Sequence, residues 1–252
     1  MKYFLWLGFL WLVSCQSNQP EVITIATAAN MQYAIDEIRK VFTDQTGIPT
    51  EVVISSSGKL STQALQGAPF DVFVSADTVY PYILYRNKMA SQRPLIYGYG
   101  SLVIWSVNRQ LTWSKDIFQL NANDKIAIPN PAIAPYGEAA VDVLKKQSNY
   151  DQLSERLVFG ESVSQTNQYI LSGSVVYGFT ALSVVLAPQL VEKGSWISVP
   201  DHLYYKIPQA AVVITQDPIR KQQAEQFLTF LVSQPAQEIL ANFGYIDPRL
   251  VN

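Results

Sequence analysis

Ser56-Ser57-Gly58-Lys59 is the segment whose residue types and spacing come nearest to catalytic chemistry. Ser56 and Lys59 form Ser-x-x-Lys, the spacing at which a lysine on a helix can deprotonate a serine nucleophile in penicillin-binding enzymes. The Lys-Thr-Gly companion is missing, however, and the only Ser-x-Asn, Ser106-Val107-Asn108, ends a predicted strand. An acyl-enzyme is therefore a remote alternative. Gly58-Lys59 also fails as a phosphate loop, because Val53 stands five positions before Gly58 and Leu60 follows Lys59 in place of Ser or Thr. No His-Glu-x-x-His, Gly-x-Ser-x-Gly or dinucleotide glycine pattern occurs, so no catalytic constellation is visible and an enzyme is not expected. His202, the single histidine, sits beside Asp201 and reads as a surface or loop residue; with no cysteine after position 15, little remains for a soft-metal site. Neither a cofactor nor a metal ligated directly by the protein is expected.

A different chemistry is suggested by four places where a strand runs into a small or polar turn that begins a helix: Ala28-Ala29-Asn30, Ser56-Ser57-Gly58, Pro135-Tyr136-Gly137 and Ser162-Val163-Ser164. In α/β sheets such turns lie at the carboxyl edge, where ligands bind. Helix N-termini present N–H groups without intrahelical acceptors and the positive end of the helix dipole. Each turn alone reads as routine capping. Several converging on one cleft would hold an anion without any lysine or arginine.

The elements that must position these turns follow from periodicity. Short β-rich runs alternate with helical patterns, the signature of βα units around mainly parallel sheets. Val22 to Ala26 predicts a strand. Met31, Ile35, Ile38 and Phe42 recur at helical spacing, so a helix should begin near Asn30 as its N-cap and close at Gly47. Further strands are predicted at Glu51–Ile54, Phe70–Ser75, Ser101–Val107, Lys125–Pro129, Arg156–Phe159, Val175–Gly178 and Ile207–Thr215. Helices are predicted at Asp77–Asn87, at Glu138–Gln147, from Val163 to Ser172-Gly173, at Pro218–Ser233 and at Pro235–Asn242. The Ser101–Val107 strand is the candidate crossing between lobes.

The single cysteine, Cys15, ends Leu12-Val13-Ser14-Cys15 after a hydrophobic opening whose only charged side chain is Lys2. Phe4 to Val13 is too short to span a bilayer, which needs roughly 20 apolar residues. The pattern is that of a lipoprotein signal: residues 1–14 would be removed, Cys15 would carry the lipid and residues 15–20 would form a tether. About 235 residues then remain, enough for one large α/β domain or two lobes of roughly 100 each. A net charge of -2 without a basic stripe argues against nucleic acid. The protein is expected to be monomeric and held outside the cytoplasmic membrane.

Ala26-Thr27-Ala28-Ala29-Asn30, Ser56-Ser57-Gly58-Lys59-Leu60, Gly67-Ala68-Pro69-Phe70-Asp71-Val72-Phe73-Val74-Ser75-Ala76-Asp77, Ala134-Pro135-Tyr136-Gly137, Glu161-Ser162-Val163 and Val175-Val176-Tyr177-Gly178 resemble, in order and spacing, the molybdate-binding receptors of ABC transporters. The resemblance spans residues 21–245. It implies an α/β, two-lobed type II solute-binding fold with a ligand cleft between lobes: lobe 1 from 21–101, lobe 2 from 102–206, and 207–252 returning mainly to lobe 1. It further implies that molybdate or tungstate is held by the side chains of Asn30 and Ser57 with neighbouring N–H groups, Ala29 and Gly58 among them. Tyr136 and the backbone of Val163 would contribute from lobe 2. Some family members place serine at the position of Asn30, and some use a tyrosine at the position of Tyr177; the Ala-Pro-Tyr-Gly context favours Tyr136 here. A permease is the implied partner. Sulfate, thiosulfate or a phosphonate is the alternative ligand, and an accessory or sensor lipoprotein the alternative role.

Overall fold

The computed structural model describes residues 21–147 and 150–251, so the leader and Cys15 lie outside the described residues. Two five-stranded sheets form the framework. The first has the order β2 (Thr50–Ser55), β1 (Ile23–Ala28), β3 (Val72–Val74), β10 (Ile207–Val213) and β4 (Leu95–Gly100). The second has the order β7 (Leu157–Gly160), β6 (Ile126–Pro129), β8 (Tyr177–Ala181), β5 (Leu102–Ser106) and β9 (Ser195–Ser198). Helices α1 (Gln32–Thr46), α2 (Ser57–Leu65), α3 (Val79–Arg86), α8 (Pro218–Leu231) and α9 (Gln234–Asn242) cover the first sheet. The second is covered by α4 (Pro135–Lys146), α6 (Val163–Leu171) and α7 (Leu182–Val185), with the short α5 (Tyr150–Leu153) packed on α4.

Both sheets are mixed in a regular way. β1 pairs in parallel with β2 and β3, whereas β10 is antiparallel to β3 and to β4. In the second sheet β6 is parallel to β7 and β8, and β5 is antiparallel to β8 and β9. One strand per sheet therefore runs against the other four, and it is the strand by which the chain enters that lobe. A chain arriving from the opposite lobe must start at the cleft edge, where the carboxyl ends of the other strands lie. Leu102 accordingly faces Ala181, and Ile207 faces Gly100. The crossings are narrow, one at Ser101 and one between Ser198 and Ile207.

Local signals account for most elements. α1 buries Ala34, Ile35, Ile38 and Phe42, and Gly47 ends it in the left-handed region at φ 71°, where glycine has no Cβ penalty. Phe42 meets Phe227 of α8 edge-on at 5.2 Å. The expected N-cap at Asn30 is not found. A 3₁₀ turn, Ala29–Met31, comes first and α1 starts after Met31, because the Asn30 side chain is drawn into long-range hydrogen bonds. α4 starts earlier than expected, with Pro135 at a position where its missing N–H costs nothing. Three strands differ from expectation: β9, like β4, falls where no strand is predicted. β4 follows Pro94 and carries Gly98 and Gly100, residues that weaken any strand signal. β8 is shifted forward to Tyr177–Ala181, since the chain at Val175-Val176 is still approaching the sheet.

Candidate functional site

All four anticipated turns open helices. Ala28 precedes the Ala29–Met31 turn, Ser56 precedes α2, Ala134 precedes α4 and Ser162 precedes α6. Ser56 and Ser162 are side-chain caps, accepting from the N–H groups of Lys59 (3.4 Å) and Gln165 (3.3 Å). The Ser-x-x-Lys pair is not assembled. Ser56 Oγ is engaged as a cap, while Lys59 Nζ turns outward to pair with Glu161 Oε2 of lobe 2. Lys59 thus bridges the lobes.

Ser57, one residue on, is buried at the cleft face of α2. Its Oγ accepts from Ala76 N at 3.0 Å. A serine hydroxyl has one proton and two lone pairs, so this bond leaves the proton available. The Ser75-Ala76-Asp77 turn that supplies Ala76 is itself pinned to β10, through Ser75 N to Ala210 O (2.9 Å) and Ala210 N to Asp77 O (3.1 Å).

Asn30 and Tyr136 meet across the lobes through Gln209. Asn30 Nδ2 donates to Gln209 Oε1 and to Tyr245 Oη, each at 2.9 Å. Gln209 Nε2 donates to Tyr136 Oη at 3.0 Å, and Tyr97 Oη donates to Gln209 Oε1 at 2.7 Å. Ser183 Oγ of lobe 2 donates to the carbonyl of Asn30 at 2.8 Å. Both side-chain protons of Asn30 are thereby engaged and its Oδ1 is buried without a partner, so the residue has no side-chain proton left for a ligand. Its main-chain N–H, at the start of the 3₁₀ turn, remains the donor it can offer.

Val163 is the first residue of α6, which packs on the Ala29–Met31 turn; Ser164 Oγ bonds Gln32 Oε1 there. Gly58 lies at the same junction, but its N–H is committed to Ile133 O of lobe 2 at 3.0 Å. A Cβ at Gly58 would stand 3.0 Å from the Ile133 main chain, so this glycine lets the lobes approach. Tyr177 is elsewhere. It opens β8 at the end remote from the cleft, and its hydroxyl donates to Ile117 O at 2.9 Å. The two-residue shift of β8 explains this, because Ala181 occupies the cleft end instead.

The cluster is neutral. Burial pushes the Tyr97, Tyr136 and Tyr245 hydroxyls far above the usual tyrosine range, so they keep their protons at any ordinary pH. The nearest charges are acidic: burial raises Asp77, against the opposing hydrogen bonds from Ser75 and the Tyr80 N–H, and burial with the nearby Asp77 raises Glu138. These carboxylates line a groove of about 190 Å³ with Asp142 and Lys206 beside the start of α4. Among the described residues no cluster of His, Cys, Asp and Glu could hold a metal ion. Gln209, Tyr97, Tyr245 and Ser183 were not anticipated from sequence. Only Gln209 leaves a trace there, as the lone amide in the run Ile207-Pro208-Gln209-Ala210-Ala211-Val212-Val213.

Two mixed sheets joined by two narrow crossings, with helix-opening turns from both meeting at one cleft, define a solute-binding protein. The chain belongs to the family described as bacterial extracellular solute-binding protein, whose model matches residues 23–246. It is 36% identical over 227 residues to the molybdate-binding protein ModA of Rhodobacter capsulatus, covering 90% of this chain and 88% of that one. It is 32% identical over 237 residues to the molybdate-binding protein ModA of Azotobacter vinelandii, covering 93% of each. The solved structure of the Azotobacter vinelandii periplasmic molybdate-binding protein superimposes with a TM-score of 0.84 at 33% identity, over 90% of this chain and 99% of the other.

Proposed function

We propose that this chain captures molybdate, and tungstate of nearly equal size, outside the cytoplasmic membrane and delivers it to an ABC permease by opening and closing its lobes. One observation carries the ligand reading: both hydroxyls at the cleft, Ser57 Oγ and Tyr136 Oη, accept a hydrogen bond from the protein, from Ala76 N and Gln209 Nε2. Each therefore has its own proton to give. The main-chain N–H groups of Asn30, Ser57 and Val163 add donors of fixed geometry. Full-length similarity to molybdate-binding proteins supports the same reading.

An enclosed dianion is tolerated only when its oxygens are hydrogen-bonded throughout. A donor-only cage also offers no acceptor to a protonated oxyanion such as hydrogen phosphate. A cage of neutral donors on rigid elements discriminates by size, since its donors cannot follow a smaller ion inward. Calorimetric titration with molybdate, tungstate, sulfate, thiosulfate and a phosphonate tests the assignment: the first two should bind and sulfate only weakly, and tight sulfate binding without molybdate binding would refute it.

The anchor belongs to the same proposal. Cys15 carries the lipid, so Cys15→Ser should release the domain from membranes in a fractionation experiment without changing anion affinity; a membrane-bound Cys15→Ser protein would refute the anchor. Among the described residues no helix is long and apolar enough to cross a membrane. The anchored domain acts as a monomer, with the permease as its partner.

A further inference from the structure

We propose that Gln209 is the positioning residue of the cage: its side-chain amide turns the Tyr136 hydroxyl so that the single phenolic proton faces the ligand. The proposal rests on the anion reading above and extends it to a residue that does not itself touch the ion.

Proton accounting carries the argument. Gln209 Oε1 accepts from Asn30 Nδ2 (2.9 Å) and from Tyr97 Oη (2.7 Å), whose one proton also has Ser75 O within reach at 3.1 Å; the shorter contact to Gln209 seats the amide oxygen on that side. The other end, Nε2, carries only protons, and it faces Tyr136 Oη at 3.0 Å. Tyr136 cannot donate in that direction. Its proton must point elsewhere, and a hydroxyl that already accepts a hydrogen bond is a better donor through mutual polarisation.

The backbone is shaped around this contact. The pairing of β10 with β4 slips between Gln209 and Ala210, an irregularity of the kind that re-aims a side chain. Gln209 is 0% exposed in an otherwise mostly apolar strand, where an amide is costly unless its hydrogen bonds are made. Gly100, the last residue of β4 before the crossing, lies directly against the contact, and a Cβ there would overlap both Tyr136 Oη and Gln209 Nε2. Gln209 belongs to lobe 1 and Tyr136 to lobe 2, so the bond joins lobe apposition to completion of the donor set.

A double-mutant cycle separates this role from ordinary packing. Molybdate is titrated calorimetrically into the wild type, Tyr136→Phe, Gln209→Met and the double variant. Gln209→Met should weaken binding about tenfold or more beside Tyr136, the scale of one hydrogen bond to a charged group. Beside phenylalanine at position 136 the same change should cost no more than about threefold, because no hydroxyl remains to be turned. If Gln209→Met does not fold, Gln209→Glu, equal in shape, replaces it. A carboxylate at 209 would capture the Tyr136 proton, so its penalty should again be larger with the hydroxyl present. Equal penalties in the two backgrounds, with wild-type binding intact, would overturn the proposal alone. Failure of the wild type to bind molybdate would overturn the functional reading and this proposal with it.

Discussion

Replacing Ser57 by alanine separates the ligand-binding role proposed for its hydroxyl from its structural one. Ser57 Oγ accepts from Ala76 N at 3.0 Å and Ser57 is 1% exposed, so Ser57→Ala removes two things at once. The lost bond to a charged oxyanion is worth about 1.5–3 kcal/mol, or roughly a 10- to 150-fold rise in Kd for molybdate. The Ala76 N–H, left buried and unpaired, costs about 1–3 kcal/mol of folding stability. At about 2–4 °C per kcal/mol for a chain of this size, the melting temperature should fall by roughly 2–12 °C. Calorimetry at 25 °C, where the variant remains folded, reads the first effect, and thermal melts without and with molybdate read the second. Ser61→Ala, also buried in α2 but one turn further along the helix, is the control that should leave affinity nearly unchanged. A folded Ser57→Ala protein with affinity within twofold of wild type would refute the cage as drawn, and so would an equal loss in Ser61→Ala.

Three further outcomes are expected. Gly100→Ala should yield a protein that folds but binds molybdate at least a hundredfold more weakly, because the new methyl overlaps Tyr136 Oη and Gln209 Nε2; wild-type affinity by titration would contradict that packing. Lys59→Ala should weaken binding by no more than about fivefold at low salt and hardly at all at high salt, since its ion pair with Glu161 is solvent-accessible and worth about 0–1 kcal/mol; a salt-independent loss would place Lys59 in the cage. Asp77 has a folded-state pKa raised chiefly by burial, so the unfolded chain loses this proton at lower pH than the folded one. Its contribution therefore falls as pH rises from the ordinary carboxylate value through the raised one and stays low above it. Asp77→Asn should flatten that fall in urea midpoints measured against pH, and a parallel shift at all pH values would show that the titration of Asp77 is not the cause.

Much of the framework was legible because it depends on neighbours in sequence. The 3–4 spacing of Ile35, Ile38 and Phe42 and the closing Gly47 are local signals, as are the Ser56 and Ser162 caps that mark the starts of α2 and α6. The donor cluster is a long-range object: Asn30 and Gln209 are 179 residues apart, and no pattern within either segment announces the other. β4 was missed because Gly98 and Gly100 erase its strand signal, and Gly100 is there to let Tyr136 and Gln209 come close. Tyr177 drew attention only through the family resemblance; it packs at the start of β8 with its hydroxyl on Ile117 O, a placement that depends on where the strand begins. The Phe70-Asp71 segment, conspicuous in the sequence, is structural. Asp71 Oδ2 accepts from Thr24 N at 2.8 Å and Asp71 Oδ1 lies 3.4 Å from Arg220, tying β1 and the chain entering β3 to α8.

The place of β10 in its sheet bears on how the protein is made. β10 lies between β3 and β4, yet it is synthesised after every strand of lobe 2. Until residue 213 emerges, the first sheet is a three-stranded fragment with β4 detached, whereas the second sheet needs only residues 102–198. Lobe 2 can therefore mature while lobe 1 waits on a pairing whose partners are separated by more than a hundred residues of chain, the kind of contact that forms slowly. When β10 inserts, it brings Gln209 with it. Closure of the first sheet and the arrival of Gln209 are one event, Tyr245 follows with the C-terminal helices, and a chain cut short before β10 holds only half of a receptor.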